Sequence, residues 1–353
     1  MVNKDFWKNK KVLITGNTGF KGSWCHLVLK ELGADVLGFS RDILTEPSTY
    51  NEIHKELNLQ TVFGDITDSD KLKRTISDYK PEIVIHMAAQ AIVKKSYSDP
   101  FDTFNTNVIG SLNVMEACKN EESVCVLINV TSDKCYENKE LNKPFKEDDP
   151  LGGSDIYSAS KACSEILAHS YNESFLASTN CNLMIASVRA GNVIGGGDWS
   201  DQRIIPDIIR SIKSSDLVIR NPDAIRPWQH VLDPIHGYLL LAMNIYLEKN
   251  RNLLGGWNFG PEQESAKSVK WVLDETSKYL SNFTYIYSKE LLFKESHYLR
   301  LDSSKAKNLL GWKPVWDVDT SLRKTIEWYV NRELNKESSA TLMVEDIHNF
   351  WKC

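Results

Sequence analysis

Apolar and polar positions alternate in blocks along the first half of the chain. Lys11-Val-Leu-Ile-Thr15 is a short buried run, followed by a glycine-rich turn and then by apolar residues at helical spacing from Ser23 to a glycine stop at Gly33. Further short buried runs cover Ala34 to Phe39, Gln60 to Phe63, Ile83 to His86, Val124 to Val130 and Leu183 to Val188. Polar segments of helical pattern lie between them, including Asp68 to Tyr79 and Val108 to Asn120. Strands alternating with helices predict an α/β fold with a doubly wound parallel sheet. After about residue 190 the rhythm breaks into loop-like stretches rich in Trp, Gly and Arg: Gly195-Gly-Gly-Asp-Trp199, Arg226-Pro-Trp-Gln-His230 and Gly255-Gly-Trp-Asn258. These predict a smaller lobe at the C-terminal edge of the sheet, where α/β folds bind ligands. From about Arg332 the chain is mostly charged and polar, and a peripheral helix or tail is expected there.

Composition narrows the function more than the fold. The 353 residues are 42% hydrophobic and 25% charged, with a formal net charge of -5, which argues against non-specific nucleic-acid binding. An anionic ligand must therefore be met by local Lys, Arg and backbone N–H groups. The opening MVNKDFWKNKK has no apolar signal region, and no uninterrupted apolar stretch suits a membrane span. Seven cysteines are scattered without C-x-x-C spacing, as expected of a reduced cytoplasmic protein with neither a disulfide framework nor a metal site.

The turn after the first strand, Gly16-Asn-Thr18-Gly19-Phe20-Lys21-Gly22, has the strand–turn–helix context of a dinucleotide site. Gly16 permits the tight turn, Gly19 lets the backbone approach a pyrophosphate, and Gly22 allows close helix–sheet packing. The helix start adds N–H donors and a positive dipole end. The spacing is Gly-x-x-Gly-x-x-Gly, unlike that of ordinary Rossmann dehydrogenases. After the second strand, Ser40-Arg41-Asp42 offers no obvious acidic partner for an NAD ribose, and Arg41 can instead meet the extra phosphate of NADP. Asp65-Ile66 can reach the adenine, although Asp65 reads equally as an ordinary turn residue. Ala88, Ala89 and Gln90 follow the fourth strand, where small residues pass close to a cofactor or simply pack.

Tyr157 and Lys161 lie four residues apart, on one face if that segment is helical. A nearby Lys cation favours phenolate and lowers a Tyr pKa from its ordinary value of about 10. Such a pair can accept a hydroxyl proton while nicotinamide accepts the hydride, although most Tyr/Lys pairs at this spacing only decorate a helix.

With Thr131-Ser132-Asp133 upstream, these features resemble the extended short-chain dehydrogenase/reductase family. The finer resemblance is to the nucleotide-sugar 4,6-dehydratases that act on CDP-glucose. It is carried by Asn17-Thr-Gly-Phe-Lys-Gly-Ser-Trp24, Thr131-Ser-Asp-Lys-Cys-Tyr136, Arg189-Ala-Gly-Asn-Val-Ile-Gly-Gly-Gly-Asp-Trp199, Arg226-Pro-Trp-Gln-His-Val-Leu-Asp233 and Trp257-Asn-Phe-Gly-Pro261. It implies a Rossmann domain over residues 1–190 carrying catalysis, a lobe over 191–335 that mainly binds the nucleotide sugar and partly returns to the sheet, and a C-terminal helix or tail over 336–353. Tightly held, recycled NAD is implied, in preference to NADP, as is self-association into a homodimer or homotetramer. The implied product is a 4-keto-6-deoxy sugar, suited to deoxysugar and O-antigen synthesis.

The implied reaction has three steps. Tyr157 deprotonates O4 as C4 is oxidised, with Lys161 lowering the Tyr pKa and Ser132 bonded to O4. Asp133 protonates the departing C6 hydroxyl, and the hydride then returns to C6. Relatives usually carry Glu after this Asp as the C5 base; here the position is Lys134, as in the CDP-glucose branch. A Lys acts as base only when its pKa falls well below about 10.4, so Lys134 is either that base or a partner that tunes Asp133. Asn192, Arg203, Arg226 and His230 are candidates for the nucleotide diphosphate, each reading equally as a structural bridge or cap. Tyr298 precedes a segment that resembles the family's late substrate loop. Trp199 and Trp228 can stack on cytosine, although core packing explains the Trp residues better. An epimerase or net dehydrogenase of the same superfamily is the second reading, and a non-enzymatic cofactor-binding protein the third.

Overall fold

The computed structural model describes residues 3–139, 143–176, 181–212, 217–219, 221–280, 284–287 and 299–352. Seven parallel strands form the central sheet: β1 (Lys11–Thr15), β2 (Asp35–Ser40), β3 (Gln60–Phe63), β4 (Ile83–His86), β5 (Val126–Val130), β6 (Met184–Arg189) and β7 (Gly255–Asn258). Their spatial order is β7-β6-β5-β4-β1-β2-β3, so the topology reverses beside β1 and opens a crevice at the strands' C-terminal ends. The expected doubly wound parallel sheet is therefore present. β4 and β5 are buried throughout and read as continuous apolar runs, as strands covered on both faces must.

β7 is a strand where the sequence predicts a loop. It pairs in register with β6, Gly255 opposite Ala186 and Asn258 opposite Arg189. Two glycines hide it from propensity reasoning, and the second has a packing reason: a Cβ on Gly256 would lie 2.4 Å from the Arg189 guanidinium. The helix predicted from Val108 begins instead with a π-turn, Asn105–Gly110, and continues as Ser111–Lys119.

After β6 the chain supplies short two-stranded ladders and the helices Ile204–Ser211, Leu232–Glu248 and Val318–Leu334. Leu232–Glu248 is buried over most of its length and packs into the main core, so the lobe shares one interior with the sheet domain. The terminal segment is more than a peripheral tail. Ser339–Lys352 is a helix whose Met343, Ile347 and Phe350 are fully or almost fully buried in that core. It is tied on the outside by His348 to Glu31 and by Ser339 to Glu52.

Candidate active site

Three elements converge at the C-terminal end of β5. The strand leads into Thr131-Ser132 and a 3-10 turn, Asp133–Cys135. The helix Ile156–Tyr171 presents Tyr157 and Lys161 from its first turns, starting at Asp155, whose carboxylate accepts from the Ser158 N–H (2.9 Å) and hydroxyl (2.6 Å). Gly191, just past β6, closes the other side: a Cβ there would lie 2.5 Å from Asp133 Oδ2, so only glycine leaves the carboxylate its place.

All five expected catalytic residues are brought together. Ser132 Oγ donates to Asp133 Oδ1 (3.0 Å) and accepts from the Lys134 N–H (3.2 Å). Lys134 Nζ lies 3.5 Å from Asp133 Oδ1. Asp133 Oδ2 is buried without a hydrogen-bond partner among the described residues, so one carboxylate oxygen is engaged and the other is left for a ligand. Burial raises the Tyr157 phenol above its ordinary value. Among the groups opposing that rise, Lys134 is the strongest, followed by Ser132 and then Arg203. Lys134 is therefore a cation that acts on the phenol. Lys161 donates to the Val130 carbonyl (3.3 Å). Its burial lowers its pKa to about 8, with Glu165 pulling the other way.

The glycine turn fits a dinucleotide. Gly16 has φ +76° and a Cβ there would lie 2.6 Å from Ala88 N, while a Cβ on Gly22 would lie 2.1 Å from Gly16 O. A Cβ on Gly19 would meet nothing nearer than Gly16 O at 3.5 Å. Gly16 and Gly22 are thus required by packing, whereas Gly19 faces open space at the start of the helix Phe20–Glu31, whose first N–H groups have no side-chain cap. Thr18 braces the turn, its hydroxyl donating to the Asp42 carbonyl (2.7 Å) and its N–H to Ser40 Oγ (3.3 Å). Ser40 in turn donates to Asn17 (2.9 Å). The Lys21 ammonium points inward, 3.4 Å from the Tyr238 hydroxyl. Burial first, then the charges of Arg203 and Lys161, lower its pKa to about 8.

At the far end of the cofactor groove, Arg41 lies 3.3 Å from Asp42, 3.6 Å from Asp65 and 3.7 Å from Asp102. Asp65 also accepts from Thr67 N (2.9 Å), and Ile66 is buried beneath Gly110. Ala88 passes over Gly16, with Ala89 next to it. Gln90 is held by Asn107, Thr103 and Ile92, so its amide is structural in this arrangement.

The substrate candidates separate. Arg203 reaches the cleft, paired with Asp198 (2.9 Å) and close enough to Tyr157 for each to shift the other. Asn192 keeps a buried Oδ1 without a partner among the described residues, beside Gln229. Arg226 sits on a short strand opposite Lys267. His230 does not belong to the site: it is 0% exposed, edge-on to Trp24 and Trp316, and its pKa falls to about 3 through burial. A neutral imidazole sealed between two indoles cannot hold a diphosphate. Trp199 and Trp228 are likewise buried and pack the lobe. Tyr298 lies outside the described residues.

Sequence reasoning missed the support behind these groups. Glu165 continues the four-residue spacing of Tyr157 and Lys161, a signal visible in the sequence. It forms a buried ion pair with Arg189, both side chains 3% exposed. Asn107, in the π-turn, donates to Ser160 (2.9 Å) and to the Gln90 carbonyl (3.1 Å), joining the fourth-strand loop to the catalytic helix. Nothing in the local sequence marks it.

A family profile described as GDP-mannose 4,6 dehydratase matches residues 13–325. A protein of Salmonella typhimurium named CDP-glucose 4,6-dehydratase is 43% identical over 93% of this chain and 93% of its own. The dTDP-glucose 4,6-dehydratase of Haemophilus influenzae is 26% identical over 90% of this chain and 97% of its own. Among solved structures, the epimerase Mth375 of Methanothermobacter thermautotrophicus superposes with a TM-score of 0.80 at 21% identity, covering 99% of this chain and 97% of that one. The Bacillus anthracis dTDP-glucose 4,6-dehydratase, solved with NAD, gives 0.72 at 23% identity, covering 92% and 97%.

Proposed function

Because the chain belongs to the GDP-mannose 4,6-dehydratase family of extended short-chain dehydrogenases/reductases, we propose that it is an NAD-dependent CDP-glucose 4,6-dehydratase. The observation that carries this reading is Asp133, buried beside Tyr157 with Oδ1 held by Ser132 and Lys134 and Oδ2 unengaged. A site that only moved hydride would have no use for that group.

NAD, which the turn over residues 16–22 and the start of the helix Phe20–Glu31 would hold, would supply a hydride acceptor for sugar C4 and a donor for C6. Tyr157 removes the O4 proton, and Ser132, whose side chain acts on the phenol, steadies the same oxygen. The C4 ketone acidifies C5–H. Asp133 Oδ2 faces the departing C6 hydroxyl and delivers its proton as general acid. Lys134 either accepts the C5 proton and returns one to C5 as hydride reaches C6, or orients Asp133 through their 3.5 Å contact while another group carries that proton off and back. Arg203, fixed by Asp198, holds the diphosphate as a planar donor, with Asn192 alongside. The three carboxylates around Arg41 favour NAD, because a 2′-phosphate brought to this guanidinium meets their charge as well.

Exposed Phe101, Ile109 and Ile166, on neighbouring helical segments, support self-association through that face. No helix among the described residues is long and apolar enough to cross a membrane, and a cytoplasmic place in deoxysugar synthesis suits the substrate. The test is incubation with NAD and CDP-, dTDP-, GDP- or UDP-glucose in deuterated water, followed by NMR. A 4-keto-6-deoxy sugar from CDP-glucose, with solvent deuterium at C5, is expected. Net NADH accumulation, or turnover of another nucleotide sugar alone, overturns the proposal.

A further inference from the structure

Glu165 and Arg189 hold both ends of the catalytic turn. Arg189 Nε and Nη2 donate to the two carboxylate oxygens of Glu165, each at 2.9 Å. The residue that begins the turn, Thr131, donates its hydroxyl to Glu165 Oε1 (2.5 Å) and its N–H to the Val188 carbonyl (2.9 Å). The residue that ends it, Tyr136, accepts from Arg189 Nη1 (2.5 Å), lies with its ring 4.7 Å beneath the guanidinium, and donates to Asn258 Oδ1 (2.7 Å). Between these anchors are Ser132, Asp133 and Lys134. Glu165 also projects from the helix that carries Tyr157 and Lys161, so one ion pair references the acid–base turn to the redox helix.

Stability alone does not account for the pair. Burying two charges costs much of what their attraction returns, and apolar replacements of similar volume commonly do as well. What an apolar pair cannot do is accept from Thr131 and donate to Tyr136 at once. We propose that Glu165 and Arg189 are positioning residues for the reaction, acting through Thr131 and Tyr136 to set Ser132 and Asp133 against Tyr157. The proposal rests on the dehydratase reading only for its kinetic readout.

The test uses the full chain and begins with Thr131, whose hydroxyl can be removed without unpairing a buried charge. Thr131→Val should lower kcat for CDP-glucose about 10-fold or more, leave KM within about twofold, and speed hydrogen exchange of the Lys134 and Cys135 amides. Thr131→Ser, which restores the hydroxyl, should return both readouts towards wild type. Glu165→Gln should move the alkaline limb of the kcat profile to lower pH, because Lys161 loses the neighbouring negative charge that sustains its proton. Glu165 and Arg189 line a cavity of about 190 Å³, so water can reach the guanidinium in that variant. Wild-type kcat and exchange in Thr131→Val, or an equal defect in Thr131→Ser, overturns the proposal. If the wild-type chain does not turn over CDP-glucose, the function is misread, and the exchange comparison still decides the positioning role.

Discussion

Lys134 folds back on the residue before it, its Nζ 3.5 Å from Asp133 Oδ1, while Oδ2 of the same carboxylate is buried and unpaired among the described residues. The two residues therefore divide the carboxylate into a held oxygen and a working one. In the proposed reaction, elimination depends on the working oxygen. Asp133→Asn keeps the shape and removes the transferable proton, so kcat for the keto-sugar should fall about 10²–10⁴-fold. KM for CDP-glucose should change little. Absorbance of the product in alkali measures the loss.

Lys134 also acts on Tyr157. A cation beside a phenol favours the ionised form, so its removal raises the phenol's pKa. The ascending limb of the pH–rate profile should accordingly move to higher pH in Lys134→Met. A limb that stays in place would falsify the assignment of Tyr157 as the base under Lys134 control.

The glycine turn separates cofactor binding from folding. Gly19→Ala puts a methyl into open space where the pyrophosphate approaches, so the apo protein should melt as before but gain less stability from NAD. Gly22→Ala drives a methyl to 2.1 Å from Gly16 O and should cost about 3 kcal/mol or more. Thermal melts of both variants, with and without NAD, distinguish the two effects.

The proposed preference for NAD rests on the charge around Arg41. NADP should support turnover far less well than NAD, and neutralising two of the three neighbours in Asp42→Asn/Asp65→Asn should narrow the gap. The ratio of kcat/KM for the two cofactors checks it.

Acid sensitivity should come from sealed histidines. Burial lowers His86 and His230 to about 3 and His26 and His236 to about 4. Below about pH 6.5 the unfolded chain binds protons that these folded rings refuse, so stability falls as pH drops from there towards 3. Asp233, raised to about 7, and Asp346, raised to about 6, pull the other way over much of this window. His230→Phe should flatten the acid decline in Tm while leaving activity near wild type. A parallel decline in the variant would show that the imidazole does not contribute.

The sheet and its ligand edge were readable because each rests on short-range pattern. β1, β3 and β4 coincide with their predicted runs, and the spacing of Tyr157 and Lys161 survives as one helix face. β7 was not readable, because two glycines open it and the second, Gly256, answers to Arg189, a residue distant in sequence. His230 shows the converse. Its motif looks polar and exposed, yet Trp24 and Trp316 come from opposite ends of the chain to enclose it. Likewise, no local pattern announces that Lys134 acts on the phenol, because the two meet only through the folded turn.

The helix Ser339–Lys352 gives the molecule a temporal order. Phe350 and Met343 complete an interior that also contains Trp7 and Trp24, so the cofactor half must wait for a segment synthesised much later. A nascent chain will thus have its glycine turn and catalytic residues synthesised long before its core can close. Contacts between such remote parts of the chain are slow to form, leaving apolar surface exposed during synthesis. Loss of only the last two helical turns should therefore hurt yield in the cell more than it hurts the chemistry of those molecules that do fold.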